Sequence, residues 1–398
     1  MNKKTVRDVD VSGKTVLLRV DYNVPFESGS MEILDDSRLI ASIPTIQYLL
    51  ERECKLVLCS HLGRPKGNIV DNLKMKPIAR KLSELLSHEI YEAPSCVGED
   101  TRAMVNSMPN TGIVLLENVR FHPEEELNDP KFAMSLASLA EVYVNDAFGT
   151  AHRAHASTEG VAHHLPAVAG LLMDRELEML GRSLDSPIRP FTALVGGAKV
   201  ADKIKVLTNL SQRVDNLIVG GGMAATFLKA SGISVGSAVV EKEFLSTAGV
   251  LMENSSKGQY KLILPVDLVV ADKFEESANP YKVDVDKIPD SSLIMDIGPK
   301  TIDLYNSILN NSKTVLWNGT MGVFEWESFS CGTSSIANTI AELKDAVTVV
   351  GGGSTAEAVF SLNLNAKMTH VSTGGGASLE FLEDSVLPGV SVLLDKEE

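Results

Sequence analysis

Short apolar runs recur along this chain, and each one ends abruptly in glycine or in polar residues. Such a run is typical of a buried parallel strand and the loop that follows it, because a parallel strand is covered on both faces. Ligands of open α/β sheets bind beyond the carboxyl ends of the strands, so the chemistry is expected in these loops. The runs with their loops span residues 16–23, 56–64, 113–120 and 142–146 in the first half, and 191–199, 217–222, 315–319, 347–353 and 370–376 in the second.

Segments with helical periodicity separate these runs, at residues 37–52, 76–87, 202–214 and 334–343. Strands that alternate with helices of this length predict right-handed βαβ units in parallel sheets. At 398 residues the chain is also too long for one ordinary core. We therefore predict an α/β fold of two doubly wound, Rossmann-like lobes, 1–170 and 185–378, joined by a helix at 171–184 whose behaviour as a hinge the sequence leaves open.

The bulk properties restrict the partners of the protein. A net charge of −15 opposes binding to nucleic acids and to membrane surfaces. No apolar run approaches membrane-spanning length, and the first residues lack the apolar stretch of a signal peptide, so we expect a cytoplasmic protein. The cysteines form no Cys-x-x-Cys pair, which favours free thiols over a zinc site or a disulfide framework. They are Cys54, Cys59, Cys96 and Cys331.

Glycine pairs in the second half predict a phosphate site. Glycine lets the backbone approach a phosphate closely, and the N–H groups at the start of a following helix attract an anion. The turns at 196–199 and 351–355 fit this pattern. Lys199 and Lys203 are four residues apart, so on a helix they would share one face and reach a phosphate chain, although a solvated lysine pair has the same spacing. The P-loop and Rossmann glycine signatures are both absent, which disfavours a P-loop ATPase and a dehydrogenase.

Cationic and polar side chains follow the runs of the first half. Placing so many cationic side chains close together costs free energy, because like charges repel, unless an anion binds among them. The planar fork of arginine suits a phosphate or a carboxylate, although any single arginine here also fits a structural ion pair. The sequence thus predicts an anion site as a second ligand half-site. The candidate residues are Arg19, Asp21, Asn23, Arg38, His61, Arg64, Arg120, His152, Arg153 and His155.

Taken in order, the loop sequences resemble those of the phosphoglycerate kinase family over nearly the whole chain. The resemblance depends on many separate segments, which makes it highly specific. The matching segments are 19–25 (RVDYNVP), 36–38 (DSR), 60–65 (SHLGRP), 115–122 (LLENVRFH), 146–155 (DAFGTAHRAH), 196–203 (GGAKVADK), 220–223 (GGGM), 265–267 (PVD), 317–319 (WNG), 322–325 (GVFE) and 372–380 (STGGGASLE).

The resemblance implies a two-lobed kinase that transfers a phosphoryl group reversibly between 1,3-bisphosphoglycerate with ADP and 3-phosphoglycerate with ATP. It implies that 3-phosphoglycerate binds to the first lobe and the Mg²⁺ complex of ATP or ADP to the second, and that closure of the lobes brings the two ligands together. It also implies that a tail at 379–398 returns to the first lobe and that the protein is a monomer. The residues that it implies as ligands of 3-phosphoglycerate are Asp21, Asn23, Arg38, His61, Arg64, Arg120 and Arg153. The residues that it implies as contacts of the nucleotide are Gly196, Gly197, Lys199, Lys203, Gly221, Asn318, Glu325, Gly351, Gly352, Gly353, Ser354 and Thr355. Among these, Glu325 would bind the ribose. The catalytic residues that it implies, which would face the phosphoryl group during transfer, are Arg38, Lys199, Lys203 and Gly352.

The chain departs from the family pattern at two positions. Ser354 stands where the family commonly has an aspartate that helps to hold magnesium, and a neutral hydroxyl is a weaker oxygen ligand. No metal ligand is therefore assigned with certainty. Thr320 stands where the family often has proline, which removes a fixed φ but no reactive group. Two alternatives remain at this point: a two-lobed module that binds a phosphorylated acid without chemistry, and a kinase made inactive through Ser354.

Overall fold

The computed structural model describes residues 2–27 and 29–396. The chain forms two compact units: the first runs to Glu178 and resumes at Val386, and the second is Met179–Ser385. The division lies inside a helix, and residues 379–385, which the sequence analysis placed with the tail, group with the second unit. Each unit is built around a six-stranded parallel sheet, so the predicted α/β fold class is confirmed.

The first unit contains one sheet in the order β3-β4-β2-β1-β5-β6, with all neighbouring strands parallel. Its strands are β1 (Thr15–Arg19), β2 (Lys55–Cys59), β3 (Ile90–Glu92), β4 (Ile113–Leu115), β5 (Val142–Asn145) and β6 (Ala167–Ala169). Its helices are α1 (Ser37–Leu50), α2 (Lys76–Leu86), α3 (Glu99–Ser107), α4 (Pro123–Glu126), α5 (Pro130–Ala137) and α6 (Leu171–Asp185), the last of which continues into the second unit.

Local sequence accounts for these elements. β4 and β5 are buried at every position, as expected for parallel strands covered on both faces. α5 begins with proline at its first position and with Asp129, whose carboxylate accepts the backbone N–H groups of Lys131 and Phe132 at 2.9 Å each. The N–H groups of Leu172 and Met173, at the start of α6, donate to the buried Asp146 that follows β5. The strand end and the helix start are thus tied together within the first unit.

The second unit contains a parallel sheet in the order β15-β14-β13-β7-β8-β9 and a separate antiparallel sheet in the order β11-β10-β12. Its strands are β7 (Phe191–Val195), β8 (Asn216–Val219), β9 (Lys261–Ile263), β10 (Asp267–Ala271), β11 (Tyr281–Asp284), β12 (Leu293–Ile297), β13 (Thr314–Asn318), β14 (Val347–Gly351) and β15 (His370–Val371). Its helices are α7 (Ile204–Ser211), α8 (Ala224–Ala230), α9 (Leu245–Ser256), α10 (Pro299–Leu309), α11 (Cys331–Glu342), α12 (Gly353–Ser361) and α13 (Gly376–Leu382).

The chain returns to the first unit at its end. The short helix α14 (Pro388–Ser391) lies against the loop after β5, where the Asn145 amide donates to the carbonyl of Gly389 at 2.9 Å. The backbone N–H of Leu394 then donates to Ala167 O at 2.9 Å. Among residues 2–27 and 29–396, no helix is both long and apolar enough to cross a membrane.

Candidate active site

The side chains predicted for the anion site come together in the first unit. Asp21 and Asn23 follow β1, His61 and Arg64 follow β2, Arg120 follows β4, Arg153 follows β5, and Arg38 lies in the first turn of α1. β1, β2, β4 and β5 are adjacent and parallel, so their carboxyl ends meet at one edge of the sheet. A set spread over more than 130 residues of sequence thereby becomes one cluster of loops.

The loop after β2 is held by groups from the neighbouring loops. The backbone N–H of Gly63 donates to Asn23 Oδ1 at 2.9 Å, and Arg120 Nη1 donates to the carbonyl of Gly63 at 2.8 Å. The buried amide of Asn118 accepts from Leu62 N at 3.1 Å and donates to Leu62 O at 2.7 Å. Three loops are thus fixed to one another before any ligand binds.

The cluster carries more guanidinium groups than carboxylates that pair with them. Arg38 forms an ion pair with Asp21, and Arg120 Nε lies 3.2 Å from Glu126 Oε1. Within residues 2–27 and 29–396, the side chain of Arg153 makes one hydrogen bond, to His152 Nε2 at 3.1 Å. Within the described part of the chain, the exposed Arg64 has no hydrogen bond and no ion pair. The surplus of positive charge fits an anionic ligand.

The histidines of this cluster are uncharged. Burial and the nearby arginines, Arg19 first among them, hold the pKa of His61 well below its usual range. Burial and Arg120 lower the pKa of His155 to about 4, and burial with Arg153 lowers that of His152. Near pH 7 these imidazoles therefore contribute hydrogen bonds rather than charge to an anion site.

A buried polar pair behind the cluster was missed by sequence reasoning. Glu125, in α4, accepts a hydrogen bond from Ser157 Oγ at 2.6 Å and another from Ser157 N at 2.9 Å, and its side chain is wholly buried. Burial raises the pKa of this carboxyl group. Glu125 is one of three consecutive glutamates, a pattern typical of a solvent-exposed helix start, so the sequence did not indicate that this side chain is buried.

In the second unit, the turns after β7, β8 and β13 lie against one another. Gly196 N donates to Asn318 O and Gly197 N donates to Thr320 O, each at 2.9 Å. Gly221 has φ +67°, and a Cβ there would lie 2.6 Å from the backbone N of Gly197. These backbones approach so closely because side chains are absent.

Lys203 reaches the centre of these turns, but not from a helix face. The prediction that Lys199 and Lys203 share one face of a helix is wrong, because α7 begins at Ile204 and residues 198–203 form turns. Lys203 Nζ donates to Gly196 O at 2.8 Å and to Asn318 O at 3.0 Å. Burial lowers the pKa of Lys203 to about 8. Lys199 is exposed in the turn and has no partner among the described residues.

The side chain of Asn318, at the end of β13, offers unused hydrogen-bonding groups beside a helix start. Its Nδ2 and Oδ1 are buried without a partner within residues 2–27 and 29–396. A Cβ on Gly351 or Gly352 would lie 3.3 Å from that Nδ2, and Gly352 has φ +92° just before α12. Thr355 Oγ1 accepts from Gly319 N at 2.6 Å. A buried amide left unpaired is costly, so this place fits a polar ligand.

Two more predicted residues lie at the surface near these elements. Ser354 is exposed in the first turn of α12, and Glu325 is exposed in the loop that follows β13. Neither side chain has a hydrogen bond or ion pair within the described residues. Both are accessible to a ligand, and the structure gives them no internal role.

Replacing Gly319 with alanine tests the close packing of these turns. Gly319 has φ +104°, and a Cβ there would collide with the carbonyl of Gly196 and with Lys203 Nζ. We expect a loss of about 3 kcal/mol of unfolding free energy from strain and overlap. Both tryptophans, Trp317 and Trp326, lie in the second unit, so fluorescence during urea unfolding follows that unit.

Gly232→Ala is the matched control for this prediction. Gly232 has φ +89°, but nothing lies within 4 Å of the Cβ position. Its substitution is expected to cost about 1 kcal/mol, from backbone strain alone. Equal losses at the two positions would show that Lys203 and the β7 turn do not confine Gly319.

The class of protein follows from the fold together with its relatives: a phosphotransferase of two α/β units, with an arginine cluster in the first and glycine turns in the second. The family model for phosphoglycerate kinase matches residues 6–385. This chain belongs to the phosphoglycerate kinase family. It is thus a phosphotransferase whose reaction is part of glycolysis, and the alternative of a dehydrogenase is excluded.

Individual relatives agree with the family match over the full length. The chain is 57% identical to the phosphoglycerate kinase of Pelotomaculum thermopropionicum and 50% identical to that of Moorella thermoacetica. Each of these alignments covers 100% of both sequences. The solved phosphoglycerate kinase from Coxiella burnetii, 39% identical, aligns with a TM-score of 0.88, and that from Pyrococcus horikoshii, 32% identical, with 0.85. Each structural alignment covers 98% of both chains.

Proposed function

We propose that the chain performs the reaction of its family with 3-phosphoglycerate bound to the arginine cluster of the first unit and ATP or ADP bound to the glycine turns of the second. The observation that carries this assignment is the surplus of guanidinium groups where β1, β2, β4 and β5 end. A three-carbon acid with a phosphate offers two anionic ends to such a cluster.

For the acid, the proposed ligands are side chains already anchored by the protein. Arg120 and Asn23 are held through Gly63, which orders them in advance. Among the described residues, neither Arg64 nor Arg153 has a carboxylate partner that the ligand would have to displace. Arg38 and Asp21 form an ion pair with each other. Arg38 can also donate to an oxygen of the ligand, and Asp21 can accept a hydrogen bond from its hydroxyl. Preordered donors reduce the ordering cost of binding.

For the nucleotide, the proposed contacts are the surface of the glycine turns, the backbone N–H groups at the start of α12 and a few polar side chains. Gly196 and Gly221 let the turns after β7, β8 and β13 pack closely, and the N–H groups of Gly196, Gly197 and Gly221 are used between these turns. Residues 351–355 add the start of α12, whose first N–H groups suit a phosphate. Asn318 would use its unpaired amide. Glu325 would accept a hydrogen bond from the ribose, since an exposed carboxylate suits a sugar hydroxyl.

The proposed mechanism needs no general base. The nucleophile toward ATP is the carboxylate of 3-phosphoglycerate, which is ionised near neutral pH because such acids titrate around pH 4 or below. Its oxygen bonds to the γ-phosphorus as the bond to the β-phosphate oxygen breaks, in line. Arg38, Lys199, Lys203 and the N–H of Gly352 would stabilise charge on the transferring oxygens.

Direct transfer requires the acid and the nucleotide to meet. We propose that hinge-bending brings the two bound ligands together and excludes water, which limits hydrolysis of ATP. Positioning and charge stabilisation then supply most of the rate.

Magnesium is the cofactor that we propose with the nucleotide. Among the described residues, no group of three or more His, Cys, Asp or Glu side chains is gathered as a metal site. The exposed hydroxyl of Ser354 is a hard oxygen donor at the start of α12, which fits a cation held mainly by nucleotide phosphates and water. When bound, Mg²⁺ would neutralise charge on the β- and γ-phosphates.

Ser354→Asp is expected to lower the Mg²⁺ concentration for half-maximal activity by about threefold to tenfold, because a carboxylate is a stronger ligand than a hydroxyl. The measurement is initial rate against free Mg²⁺ at saturating substrates. Ser354→Asn is the matched control, since it has the size of aspartate and a neutral oxygen. An equal gain in both variants, or none in either, would contradict a metal contact at this position.

The remaining assignments concern the state of the protein in the cell. We propose a cytoplasmic monomer whose partners are small phosphorylated molecules and neither nucleic acid nor membrane. The net charge of −15 supports the exclusion of polyanionic partners. Sedimentation at micromolar concentration tests the monomer directly.

Trapping the product tests the proposed function. The purified protein is incubated with 3-phosphoglycerate and MgATP, and hydroxylamine captures any acyl phosphate. Product that requires both substrates is the expected result. Folded protein that binds ATP and 3-phosphoglycerate but forms no product at any Mg²⁺ concentration would favour an inactive kinase or a binding module.

A further inference from the structure

A row of buried polar groups runs behind the anion cluster of the first unit. Ser157 Oγ donates to Glu125 Oε1 at 2.6 Å, and Arg19 Nε donates to Ser157 Oγ at 2.9 Å. Arg19 Nη2 lies 3.3 Å from His61 Nδ1. Each of these four side chains is at most 3% exposed. The row connects the buried Glu125 to a histidine of the cluster.

The chemistry of Arg19 fixes the direction of the last hydrogen bond. A guanidinium group only donates, so His61 Nδ1 must accept and carry no proton. Asp21 Oδ1 lies 3.8 Å from His61 Nδ1, too far for a hydrogen bond. In a neutral ring the proton must then be on Nε2, for which the described residues provide no hydrogen-bond acceptor.

We propose that Arg19, held by Ser157 and Glu125, is a positioning residue that fixes His61 as the neutral ring protonated at Nε2, so that this N–H donates to an oxygen of bound 3-phosphoglycerate. The inference rests on the proposed placement of 3-phosphoglycerate in the first unit. It assigns roles to three residues that do not themselves touch the substrate.

Each member of the row is needed for the next. Glu125 interacts electrostatically with the buried Arg19, whose positive charge is costly to bury without a nearby carboxylate. Ser157 uses its proton toward Glu125 and its lone pair toward Arg19, so it orients the guanidinium group. A second donor of Arg19, Nη1, is used by the carbonyl of Val20, which leaves Nη2 for His61.

The tautomer matters because an anion meets the ring. With the proton on Nε2, the ring offers a donor to an oxygen that carries only lone pairs. With the proton on Nδ1, a nitrogen lone pair would face that oxygen, and the ligand would lose a hydrogen bond. We expect about a tenfold rise in KM for 3-phosphoglycerate from such a change.

Nitrogen NMR of the full chain tests the proposal. Protein labelled with ¹⁵N-histidine reports which ring nitrogen carries the proton, and the His61→Gln spectrum identifies the His61 signals among the eight histidines. The expected wild-type result is an unprotonated Nδ1 and a protonated Nε2 between pH 6 and 8, and a shift of the Nε2 signal when 3-phosphoglycerate is added.

Variants separate positioning from stability. Arg19→Lys keeps a charge without the fork, and Ser157→Ala removes the link to Glu125; both are expected to populate the other tautomer and to raise KM for 3-phosphoglycerate. Tyr143→Phe is the control, since it removes a buried hydroxyl that donates to Ser157 O at 2.9 Å but leaves the row intact. It should lower stability and keep the tautomer.

The outcomes are distinguishable. A charged His61 or an Nδ1–H tautomer in the wild-type protein overturns the inference, whether or not the variants fold. An unchanged tautomer in folded Arg19→Lys and Ser157→Ala also overturns it. The expected tautomer with signals that do not respond to 3-phosphoglycerate would instead count against the proposed anion site.

Discussion

Arg38→Ala is expected to lower kcat by about a thousandfold or more while changing the Kd for ATP by no more than about twofold. The guanidinium group of Arg38 is one-third exposed and pairs with Asp21. In the proposed reaction it meets the oxygens of the transferring phosphoryl group, where negative charge is shared at the transition state. An interaction made only there affects turnover and not the binding of nucleotide.

Two further variants make this result interpretable. Arg38→Lys keeps the charge but loses the planar fork, so it should recover part of the lost rate. Arg80→Ala removes an exposed arginine of α2 that has no partner among the described residues, and it should leave kcat unchanged. Steady-state rates and calorimetric titration with ATP supply both quantities. A parallel loss in kcat and in ATP affinity would show that Arg38 acts in nucleotide binding instead.

The anion cluster could be predicted from the sequence because its position follows from the parallel direction of the strands. Asp21, His61 and Arg120 each follow an apolar run, and parallel strands bring such residues to one edge. The glycine turns were equally readable, since Gly196 and Gly221 come directly after β7 and shortly after β8. A residue type at a strand end is local information, and the fold class follows from the same runs.

The geometry of Lys203 could not be predicted in the same way. Helical periodicity suggested a helix from residue 202, but the N–H groups of Val200 and Ala201 donate to the carboxylate of Glu241, at 3.0 and 2.7 Å. A partner forty residues away thus satisfies the turn before α7, which delays the helix to Ile204. Such long-range capping has no signature within the segment that it shapes.

Two other features were invisible for related reasons. β11 is largely exposed and polar, so it lacks the apolar run that marks a buried strand, although its neighbour β10 is buried at every position. The role of Glu125 depends on Ser157, whose hydroxyl reaches it only after the loop that follows β5 has folded back. The burial of Glu125 is therefore a product of tertiary packing and not of sequence pattern.

Lys203→Met is expected to lower kcat by about a hundredfold to a thousandfold, because it removes a positive charge from the proposed transfer site and keeps the length of the side chain. Lys203 Nζ donates to the carbonyls of Gly196 and Asn318, which places it where β7 and β13 end side by side. Lys199→Met is the matched control: Lys199 is exposed and makes no such contacts, so a smaller loss is expected.

The pH dependence of the rate identifies Lys203 independently of the size of this loss. Burial lowers the pKa of Lys203 to about 8, so the charged form predominates below that pH and is lost as the pH rises through it. Because kcat/KM reports the free enzyme, its value for ATP should decrease above about pH 8. Bound phosphates favour the charged ammonium, so kcat should persist to higher pH. The alkaline decrease in kcat/KM should remain in Lys199→Met and disappear from the residual activity of Lys203→Met, and its survival in Lys203→Met would assign the titration to another group.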